Sequence, residues 1–416
     1  MRQATRTRRV SNFGPRIVAV LLALAVHAGA QTESVLYSFE SEADGAEPVS
    51  GLVQDGTGAL YGTTDGAPSV YKLTPPTEQG GQWAETEIYN FPSFDDGVGP
   101  ANGYLVLDAK GNLYGTTAFG GLNGYGTVFE LSPPSSGETW DETVLYYFQA
   151  GGKDAQYPTG VILSGGALYG TTTSGGQFGE GAVFRLTPGK TGGPWKETVL
   201  YSFTGGSDGG PPVGTPTPGP GGVLYGATSY GGLYANGVVY QLSPPAKGST
   251  EWTEKVLHNF GGSTYDGLIP SAALVLDKNG SLYGPTFGSI YPLPYGLIYK
   301  LTPPAWKETI LYNFTDGADG EYPESNMIFD DHGALYGTTS GSYSGGTNHG
   351  SVFKLAPPRS AGGAWTETTL HSFSGGSDGG TPGAGLLLKD GILYGTTFEG
   401  GPNPDCNCGI VFSIKP

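Results

Sequence analysis

The residues of this chain that could do chemistry are aspartates that recur at one fixed spacing. Seven aspartates stand four residues before a proline: Asp44, Asp96, Asp154, Asp208, Asp266, Asp319 and Asp378. Six are followed by glycine, which is typical of a tight turn in which the aspartate accepts hydrogen bonds from local amides. They are also candidate ligand-binding carboxylates. Calcium requires six to eight oxygen ligands, and one aspartate per loop without a D-x-D-x-D-G run supplies too few for a dedicated site. We therefore expect no cofactor, and bound calcium is the alternative.

A second set of candidate binding residues is aromatic and stands in glycine-rich segments. Its members are Phe119, Tyr125, Phe178, Tyr230, Tyr234, Phe287, Tyr291, Tyr295, Tyr343 and Phe398. Aromatic rings beside carboxylates suit neutral polyhydroxylated ligands such as glycans, which stack on the rings and hydrogen-bond through their hydroxyls. Each site alone would be weak, and repetition would add avidity. A structural role in closing the ends of the fold is the other interpretation of these rings.

Catalysis has little support in the sequence. The histidines that follow Ala30 are His258, His332, His349 and His371. His258 and His371 replace a recurring tyrosine, so we interpret them as packing variants. Neither a Ser-His-Asp nor a His-x-x-x-His arrangement has a plausible spacing. Cys406 and Cys408 offer two ligands where zinc takes four, so no metal site and no catalytic residue is expected. A carbohydrate-active hydrolase or lyase, with unique carboxylates near a central channel, is the enzyme alternative.

These candidates are carried by a repeat. The block Leu-Tyr-Gly-x-Thr occurs seven times, with its tyrosine at Tyr61, Tyr114, Tyr169, Tyr225, Tyr283, Tyr336 and Tyr394. The interval is about 55 residues, and a period of this length with several strands per unit predicts a propeller blade. Glycine and proline make up about a quarter of the chain and aromatic residues 12%, which indicates short strands, tight turns and a substantial core.

Each unit divides into four predicted strands, which we call A to D. Strand A covers segments such as 104–108 and 385–389, strand B is the Leu-Tyr-Gly block, strand C covers segments such as 126–131 and 350–355, and strand D segments such as 140–148. All six tryptophans start a D strand, and each has a glutamate two residues later, for example Glu142 and Glu197. Because these glutamates recur in the units, we expect them to be structural.

The two ends of the chain predict a closed ring. A lone D strand at 34–39 precedes the first unit, and the last unit has strands A, B and C but no D, ending at 409–414. Pairing the two ends removes an exposed sheet edge. We therefore predict an all-β, seven-bladed propeller of four-stranded antiparallel blades, in which the N-terminal strand completes the last blade. In such blades the D-to-A and B-to-C loops share one face, which brings both candidate sets together.

The fourth unit has prolines where its neighbours have an apolar strand A. Pro216, Pro218 and Pro220 lie at alternate positions within 213–222. Since proline cannot donate to a sheet ladder, it is confined to edges, and the innermost strand of a blade has a free edge toward the central channel. A simple loop is the equal alternative.

The N-terminus predicts export. Residues 1–30 combine five arginines, an apolar run at 17–26 and the sequence Ala28-Gly29-Ala30, so we expect a signal peptide cut after Ala30 and a single domain at 31–416. Without those arginines, 15 lysines and arginines remain against 37 aspartates and glutamates, a net charge of −22. Such a charge repels nucleic acid and anionic lipid, and nucleic acid is therefore excluded as a partner. No membrane-spanning segment is expected in the mature chain.

The segments 111–121 (GNLYGTTAFGG) and 126–131 (GTVFEL) resemble the GloVer tandem repeat of exported bacterial proteins, a choice-of-anchor family. The resemblance covers about 33–414, and it implies an exported repeat protein, often with a C-terminal anchor. Because the chain stops two residues after its last predicted strand, no anchor is expected here. By architectural analogy, glycines after strand B and tryptophan before strand D also resemble kelch blades.

Together these features predict an exported, non-catalytic repeat protein that acts as a surface or extracellular binding or scaffold module. Its expected location is the periplasm, the cell surface or the medium, and its expected state is a monomer. A polysaccharide or another extracellular protein is the expected partner. A glycan-binding propeller is the first alternative, and the carbohydrate-active enzyme is the second.

Overall fold

The computed structural model describes residues 33–41, 45–78, 80–100, 104–135, 139–190, 193–289, 294–342, 347–360, 362–403 and 405–416. Its strands form seven antiparallel sheets, which are the seven blades of a propeller. The predicted fold class and blade count are therefore confirmed. The predicted signal peptide and its cleavage site at Ala30 lie outside the described residues. No helix in the described part of the chain has the length and apolar character needed to cross a bilayer.

The strands are grouped by blade as follows. Blade 1 contains β2 (Val53–Gln54), β3 (Leu60–Thr64), β4 (Ser69–Thr74) and β5 (Ala84–Asn90). Blade 2 contains β6 (Val98–Pro100), β7 (Val106–Leu107), β8 (Leu113–Phe119), β9 (Thr127–Ser132) and β10 (Asp141–Tyr147). Blade 3 contains β11 (Ala155–Ser164), β12 (Ala167–Gly175), β13 (Ala182–Thr187) and β14 (Lys196–Ser202). Blade 4 contains β15 (Gly210–Pro218), β16 (Leu224–Tyr230), β17 (Val238–Ser243) and β18 (Thr253–Asn259). Blade 5 contains β19 (Gly267–Pro270), β20 (Val275–Leu276), β21 (Leu282–Ser289), β22 (Leu297–Thr302) and β23 (Lys307–Asn313). Blade 6 contains β24 (Ile328–Phe329), β25 (Leu335–Thr339), β26 (Ser351–Ala356) and β27 (Thr366–Ser372). Blade 7 contains β28 (Leu387–Lys389), β29 (Ile392–Thr397), β30 (Ile410–Ile414) and, from the other end of the chain, β1 (Glu33–Ser38).

The Leu-Tyr-Gly block is explained by what each of its residues touches. In blade 1, Leu60 is fully buried, and the hydroxyl of Tyr61 donates to Asp55 in the A-to-B turn at 2.9 Å. Gly62 lies opposite Tyr71 of strand C, and a Cβ there would collide with the tyrosine ring. The same glycine faces an aromatic residue of strand C in every blade, so a side chain at this position would displace a core ring.

Adjacent blades are held together by aromatic pairs. The phenylalanine that follows each strand D packs on the aromatic residue of strand C in the next blade, with ring centroids 4.9 to 5.3 Å apart. The pairs are Phe91–Phe129, Phe148–Phe184, Phe203–Tyr240, Phe260–Tyr299, Phe314–Phe353, Phe373–Phe412 and Phe39–Tyr71. Such rings contribute large buried areas and about 0.5–1.5 kcal/mol per pair from their geometry. The contact recurs at all seven blade boundaries.

The ring closes as predicted. Strand β1 pairs antiparallel with β30, from Glu33 opposite Ile414 to Ser38 opposite Ile410. The next contact joins blade 7 to blade 1, where the amide of Glu47 donates to the carbonyl of Cys408 at 2.7 Å. Phe39 is fully buried, whereas Val35, which lies in β1, is 40% exposed. The core contribution of the N-terminal segment therefore comes mainly from its C-terminal end.

The innermost strands depart from the prediction in length. The segments expected at 104–108 and 385–389 are reduced to Val106–Leu107 and Leu387–Lys389. Near the axis the backbone bonds to neighbouring blades instead: Ile269, at φ +60°, donates its amide to Asn236 of blade 4, and Ala273 donates to the side chain of Asn326 of blade 6. In blade 5 this divides strand A into β19 and β20.

The proline-rich segment of the fourth unit is a strand and not a loop. Strand β15 pairs with β16 at Val213 and again at Thr217 and Pro218, with an irregularity between them. Pro216 and Pro218 lie in this strand, and Pro220 begins a short 3-10 turn. The innermost strand tolerates these prolines because one of its edges requires no ladder donors.

Candidate functional site

The D-to-A and B-to-C loops lie together at one end of the blades. In blade 2 the amide of Gly121 donates to the carbonyl of Phe94 at 2.7 Å, and in blades 4 and 7 Gly232 and Gly401 make the equivalent bond. Both sets of predicted binding residues therefore belong to one face of the disc, which we call the loop face.

A cavity of about 600 Å³ opens on the axis at the loop face, and residues from all seven blades line it. Its walls carry the hydroxyl groups of six threonines and serines: Thr159, Thr173, Thr215, Ser271, Ser340 and Thr381. Two carboxyl groups, Asp65 and Glu324, and the ring of Phe398 also belong to the lining. Burial raises the pKa of Asp65. We call this cavity the funnel.

Four funnel residues share one repeat position. Asp65, Thr173, Ser340 and Phe398 each directly follow the last threonine of the Leu-Tyr-Gly-x-Thr block. The end of strand B thus places a different side chain from each of these blades at the axis. The fold repeats at this position while its chemistry varies from blade to blade, as a binding site on a symmetric scaffold requires.

Tyr104 crosses the axis and forms the inner end of the funnel. It belongs to blade 2, yet a Cβ added to Gly51 of blade 1 or to Gly385 of blade 7 would collide with its ring. Its hydroxyl hydrogen-bonds the side chain of Asn326 in blade 6, and burial is the main cause that raises its pKa. Sequence reasoning missed this residue. The sequence signal that could have indicated it is a large residue at a repeat position where other units have a small one, such as Gly51, Ala273 and Gly385.

The six predicted aspartates that the structure describes do not line the funnel. Asp208, for example, accepts hydrogen bonds from the amide of Thr204 and the hydroxyl of Tyr201, both at 3.0 Å. Asp319 makes the same two bonds with Thr315 and Tyr312, at 2.9 Å each. Asp154, Asp266 and Asp378 each accept a loop amide and contact a strand-D ring, and Asp96 accepts the hydroxyl of Ser93. They therefore order their own loops. Asp44 lies outside the described residues.

Each described aspartate also meets the glutamate of the next strand D. The pairs are Asp96–Glu142, Asp154–Glu197, Asp208–Glu254, Asp266–Glu308, Asp319–Glu367 and Asp378–Glu33. Burial, followed by the neighbouring aspartate, raises the pKa of Glu33, Glu142 and Glu254 to about 7. Burial also raises the pKa of Glu197, Glu308 and Glu367. For Glu367 a hydrogen bond from Thr369 partly offsets this rise. We call each group of ring, aspartate and glutamate a junction.

Two junctions contain histidine where the others contain tyrosine. His258 Nε2 lies 3.3 Å from Asp266, and His371 Nε2 lies 3.3 Å from Asp378. Burial favours a higher pKa for Asp266, but the hydrogen bond and charge of His258 outweigh it, so the pKa is lowered. The net pKa of Asp378 is also lowered, against burial, by bonds to Ser374 and by His371. As packing variants, both histidines pack edge-on against the following phenylalanine.

The predicted aromatic residues divide into exposed and packed groups. Phe119, Phe178, Tyr230 and Tyr234 are 51–55% exposed. Tyr125 and Tyr295 are half-buried, Phe287 stacks on Tyr322 at 4.5 Å, and Phe398 lines the funnel. Tyr291 and Tyr343 lie outside the described residues. Four further side chains of the loop face are exposed and were not predicted as binding residues: Phe94, Leu122, Leu233 and Tyr265.

Cys406 and Cys408 form a disulfide, and Cys408 is buried beside the closing contact between blades 7 and 1. The pair lies in the B-to-C loop of blade 7. It therefore belongs to the local structure of that loop.

The geometry defines a class of protein: a closed seven-bladed β-propeller built from one tandem repeat. Its sequence matches the model of the Gloeobacter/Verrucomicrobia repeat over residues 24–232 and 216–416. The chain belongs to this family. No curated protein is detectably similar to it in sequence.

Solved structures show the same type of fold at low sequence identity. The extracellular domain assigned to a hybrid two-component system of B. thetaiotaomicron has a TM-score of 0.55 at 10% identity, covering 92% of this chain and 39% of that one. A puromycin-hydrolyzing peptidase of Mycobacterium tuberculosis has a TM-score of 0.50 at 14% identity, covering 87% of this chain and 52% of that one. A nidogen/laminin complex has a TM-score of 0.42 at 16% identity, covering 72% and 88%. This chain thus spans about half or less of the first two, and the likeness is one of fold.

Proposed function

We propose that this chain is an exported, non-catalytic binding module whose funnel takes a neutral polyhydroxylated ligand, such as the end of a glycan chain. The observation that carries the proposal is the composition of the funnel: hydroxyl side chains of several blades, two carboxyl groups and the rings of Phe398 and Tyr104 surround one cavity. Sugar hydroxyls hydrogen-bond to such groups, and sugar rings stack on aromatic faces.

The surroundings of the funnel support the same ligand class. The exposed rings of Phe119, Phe178, Tyr230 and Tyr234 lie in the loops of the same face, and they offer weak secondary contacts along an extended polymer. A net charge of −22 for the chain beyond Ala30 favours neutral ligands over anionic ones. The basic and apolar character of residues 1–30 supports export.

The test is a glycan array followed by calorimetry, using protein collected from the periplasm or medium after expression of the full chain. The Phe398→Ala variant is expected to weaken binding about tenfold, since the stacking face is lost. Phe178→Ala, in a loop away from the funnel lining, is the matched control. It should bind a short oligosaccharide that fits within the funnel as the wild type does, because only a longer polymer reaches the secondary contact of Phe178. Absence of binding to every glycan tested, or equal losses in both variants, contradicts the proposal. Retention of the protein in the cytoplasm contradicts export.

A second candidate is a scaffold that contacts another extracellular protein. Leu122 and Leu233 are 66% and 70% exposed, at equivalent positions in the B-to-C loops of blades 2 and 4. Exposed aliphatic side chains do not stack on sugars, and they suit a protein interface. Under this candidate, replacing both leucines by serine abolishes partner binding, and Phe398→Ala leaves it unchanged.

A further inference from the structure

Three side chains with metal-ligating atoms converge between blades 4 and 5. His258 lies in β18, Asp266 in the loop that follows it, and Glu308 in β23 of the next blade. One ligand atom of each lies within 4.8 Å of the other two, and within the described part of the chain this is the one such trio of histidine, cysteine or acidic residues. A nitrogen and two oxygens from three separate segments are a donor set that zinc accepts.

The distances are close to those of a tetrahedral site. Ligand atoms about 2.0–2.2 Å from a zinc ion lie about 3.4 Å apart in a tetrahedron. His258 Nε2 lies 3.3 Å from Asp266 Oδ1 and 3.9 Å from Glu308 Oε1. A movement of Glu308 by roughly half an ångström is enough to bring its oxygen to the tetrahedral distance. A side-chain rotation of that size requires no change in the strand.

A further contact joins the two carboxyl groups. Glu308 Oε1 is shielded from solvent, and the side chain of Glu308 hydrogen-bonds that of Asp266. His258 Nε2, at 3.9 Å, is beyond hydrogen-bond distance. Two carboxyl groups hydrogen-bond only through a shared proton, and a divalent cation can take the place of that proton between them. The second oxygen of Asp266 accepts the amide of Gly262 at 2.9 Å, which fixes the orientation of that carboxylate.

Charge and access fit a divalent ion as well. Metal binding releases the proton that the two carboxyl groups share, and the resulting charge of −2 is neutralised by a divalent ion. The side chains of His258 and Glu308 are 18% and 17% exposed, so the trio is open to solvent on one side. A water molecule can therefore supply the fourth ligand, and an ion can enter.

We infer that His258, Asp266 and Glu308 bind a divalent transition-metal ion, preferentially Zn²⁺, which links blade 4 to blade 5. The nitrogen ligand favours zinc over calcium or magnesium, which prefer oxygen ligands alone. At the junctions of Tyr146, Tyr201 and Tyr312 the ring donates a hydrogen bond to the aspartate and has no equivalent nitrogen. Zinc that binds only to the folded chain would stabilise the closed propeller against unfolding by mass action.

The second histidine junction provides a matched control. His371 also lies 3.3 Å from its aspartate, Asp378, and its glutamate is Glu33 of β1. These three do not meet the mutual distance that the first trio meets. Replacing either histidine by tyrosine recreates the residue found at most junctions, so both variants are expected to fold.

The experiment uses the tag-free full chain, stripped with EDTA. After reloading with ZnSO4 and desalting, retained zinc is measured by elemental analysis and affinity by calorimetry, and thermal stability is measured with and without ZnSO4. We expect one zinc ion per chain and a higher melting temperature with zinc. His258→Tyr and Glu308→Gln should each weaken binding by more than about 100-fold, since even outer-shell partners account for 10- to 100-fold. His371→Tyr should bind like the wild type.

Three outcomes overturn the inference. The first is a wild-type chain that retains no zinc and whose melting temperature zinc does not raise. The second is a folded His258→Tyr variant that binds zinc as the wild type does. The third is an equal loss of zinc in the His371→Tyr variant, which would place the ion elsewhere. Folding of each variant is checked by its melting curve without metal.

Discussion

The junction between blades 2 and 3 and the junction between blades 4 and 5 differ in one ring. Tyr146 occupies the first and His258 the second, and each packs edge-on against a phenylalanine two residues later, at 5.1 Å and 4.7 Å. Each faces an aspartate, Asp154 or Asp266, at 3.1 Å or 3.3 Å. The pKa of Asp154 is raised, with burial as the largest cause, whereas that of Asp266 is lowered.

The two junctions share the same packing of the ring and differ in the charge that the ring can carry. The ring position contributes the same contact to the core whether it is phenol or imidazole, so the fold accepts both. The charge of the site depends on the ring, because a phenol donates one hydrogen bond and an imidazole can also carry a proton or bind a metal. Function can therefore change at one blade boundary without a change in the scaffold.

Removing β1 is expected to have the largest effect, since it deletes Glu33 and with it one junction. We expect a chain without residues 31–39 to aggregate or to melt far below the wild type. Phe39 is fully buried and contributes about 1.5–3 kcal/mol, and the half-buried Leu36 and Tyr37 add smaller amounts, so the loss is a large part of the net stability of a domain. Size-exclusion chromatography and thermal unfolding measure the effect. An unchanged melting temperature would contradict ring closure.

The raised pKa of the glutamate at a tyrosine junction predicts that the stability of the fold depends on pH. The pKa of Glu142 rises from an ordinary value near 4.5 to about 7 in the folded protein, through burial and then the charge of Asp96. The folded state therefore binds a proton that the unfolded state has lost between these values, and stability falls as the pH rises from about 4.5 to about 7. Glutamine mimics the protonated acid, so Glu142→Gln should raise the melting temperature at pH 7.5 and leave it unchanged at pH 4.5.

The control for this effect is Glu87→Gln, an exposed glutamate on strand D of blade 1. It removes the same charge from a chain that is already strongly acidic, without touching a junction. Melting temperatures across the pH range compare the two variants. Equal pH profiles for both would mean that net charge, and not the junction, causes the dependence.

The smallest expected effect is the difference between Tyr146 and His258 in their contributions to the free energy of unfolding. Tyr146→Phe removes the hydroxyl that donates to Asp154 at 3.1 Å and should reduce the free energy of unfolding by about 1 kcal/mol. His258→Tyr in metal-free buffer should change it by less, because the new hydroxyl donates to Asp266 in the same way. Chemical denaturation measures both. A large loss in His258→Tyr would show that the two rings are not interchangeable in packing.

The strands were predictable because their pattern is local. The Leu-Tyr-Gly block, the tryptophan before strand D and the regular period of the repeat gave the blades, their number and the closure. The funnel was only partly predictable. Phe398 was selected as a loop aromatic, but Asp65 and Tyr104 were not, because which residue of a strand end faces the axis depends on how seven separate segments converge.

The repeat, the four strands of each unit and the completion of the last blade follow from short-range alternation of apolar, aromatic and turn residues, so they can be predicted without a structure. The sequence also contains two separate recurring acids, an aspartate before proline and a glutamate after tryptophan. That the two meet at each described blade boundary follows only from the folded ring, because they are distant in the chain and come together when neighbouring blades pack. That packing removes part of the hydration of both carboxyl groups, which raises the pKa of the glutamates and makes the stability of the junctions depend on pH.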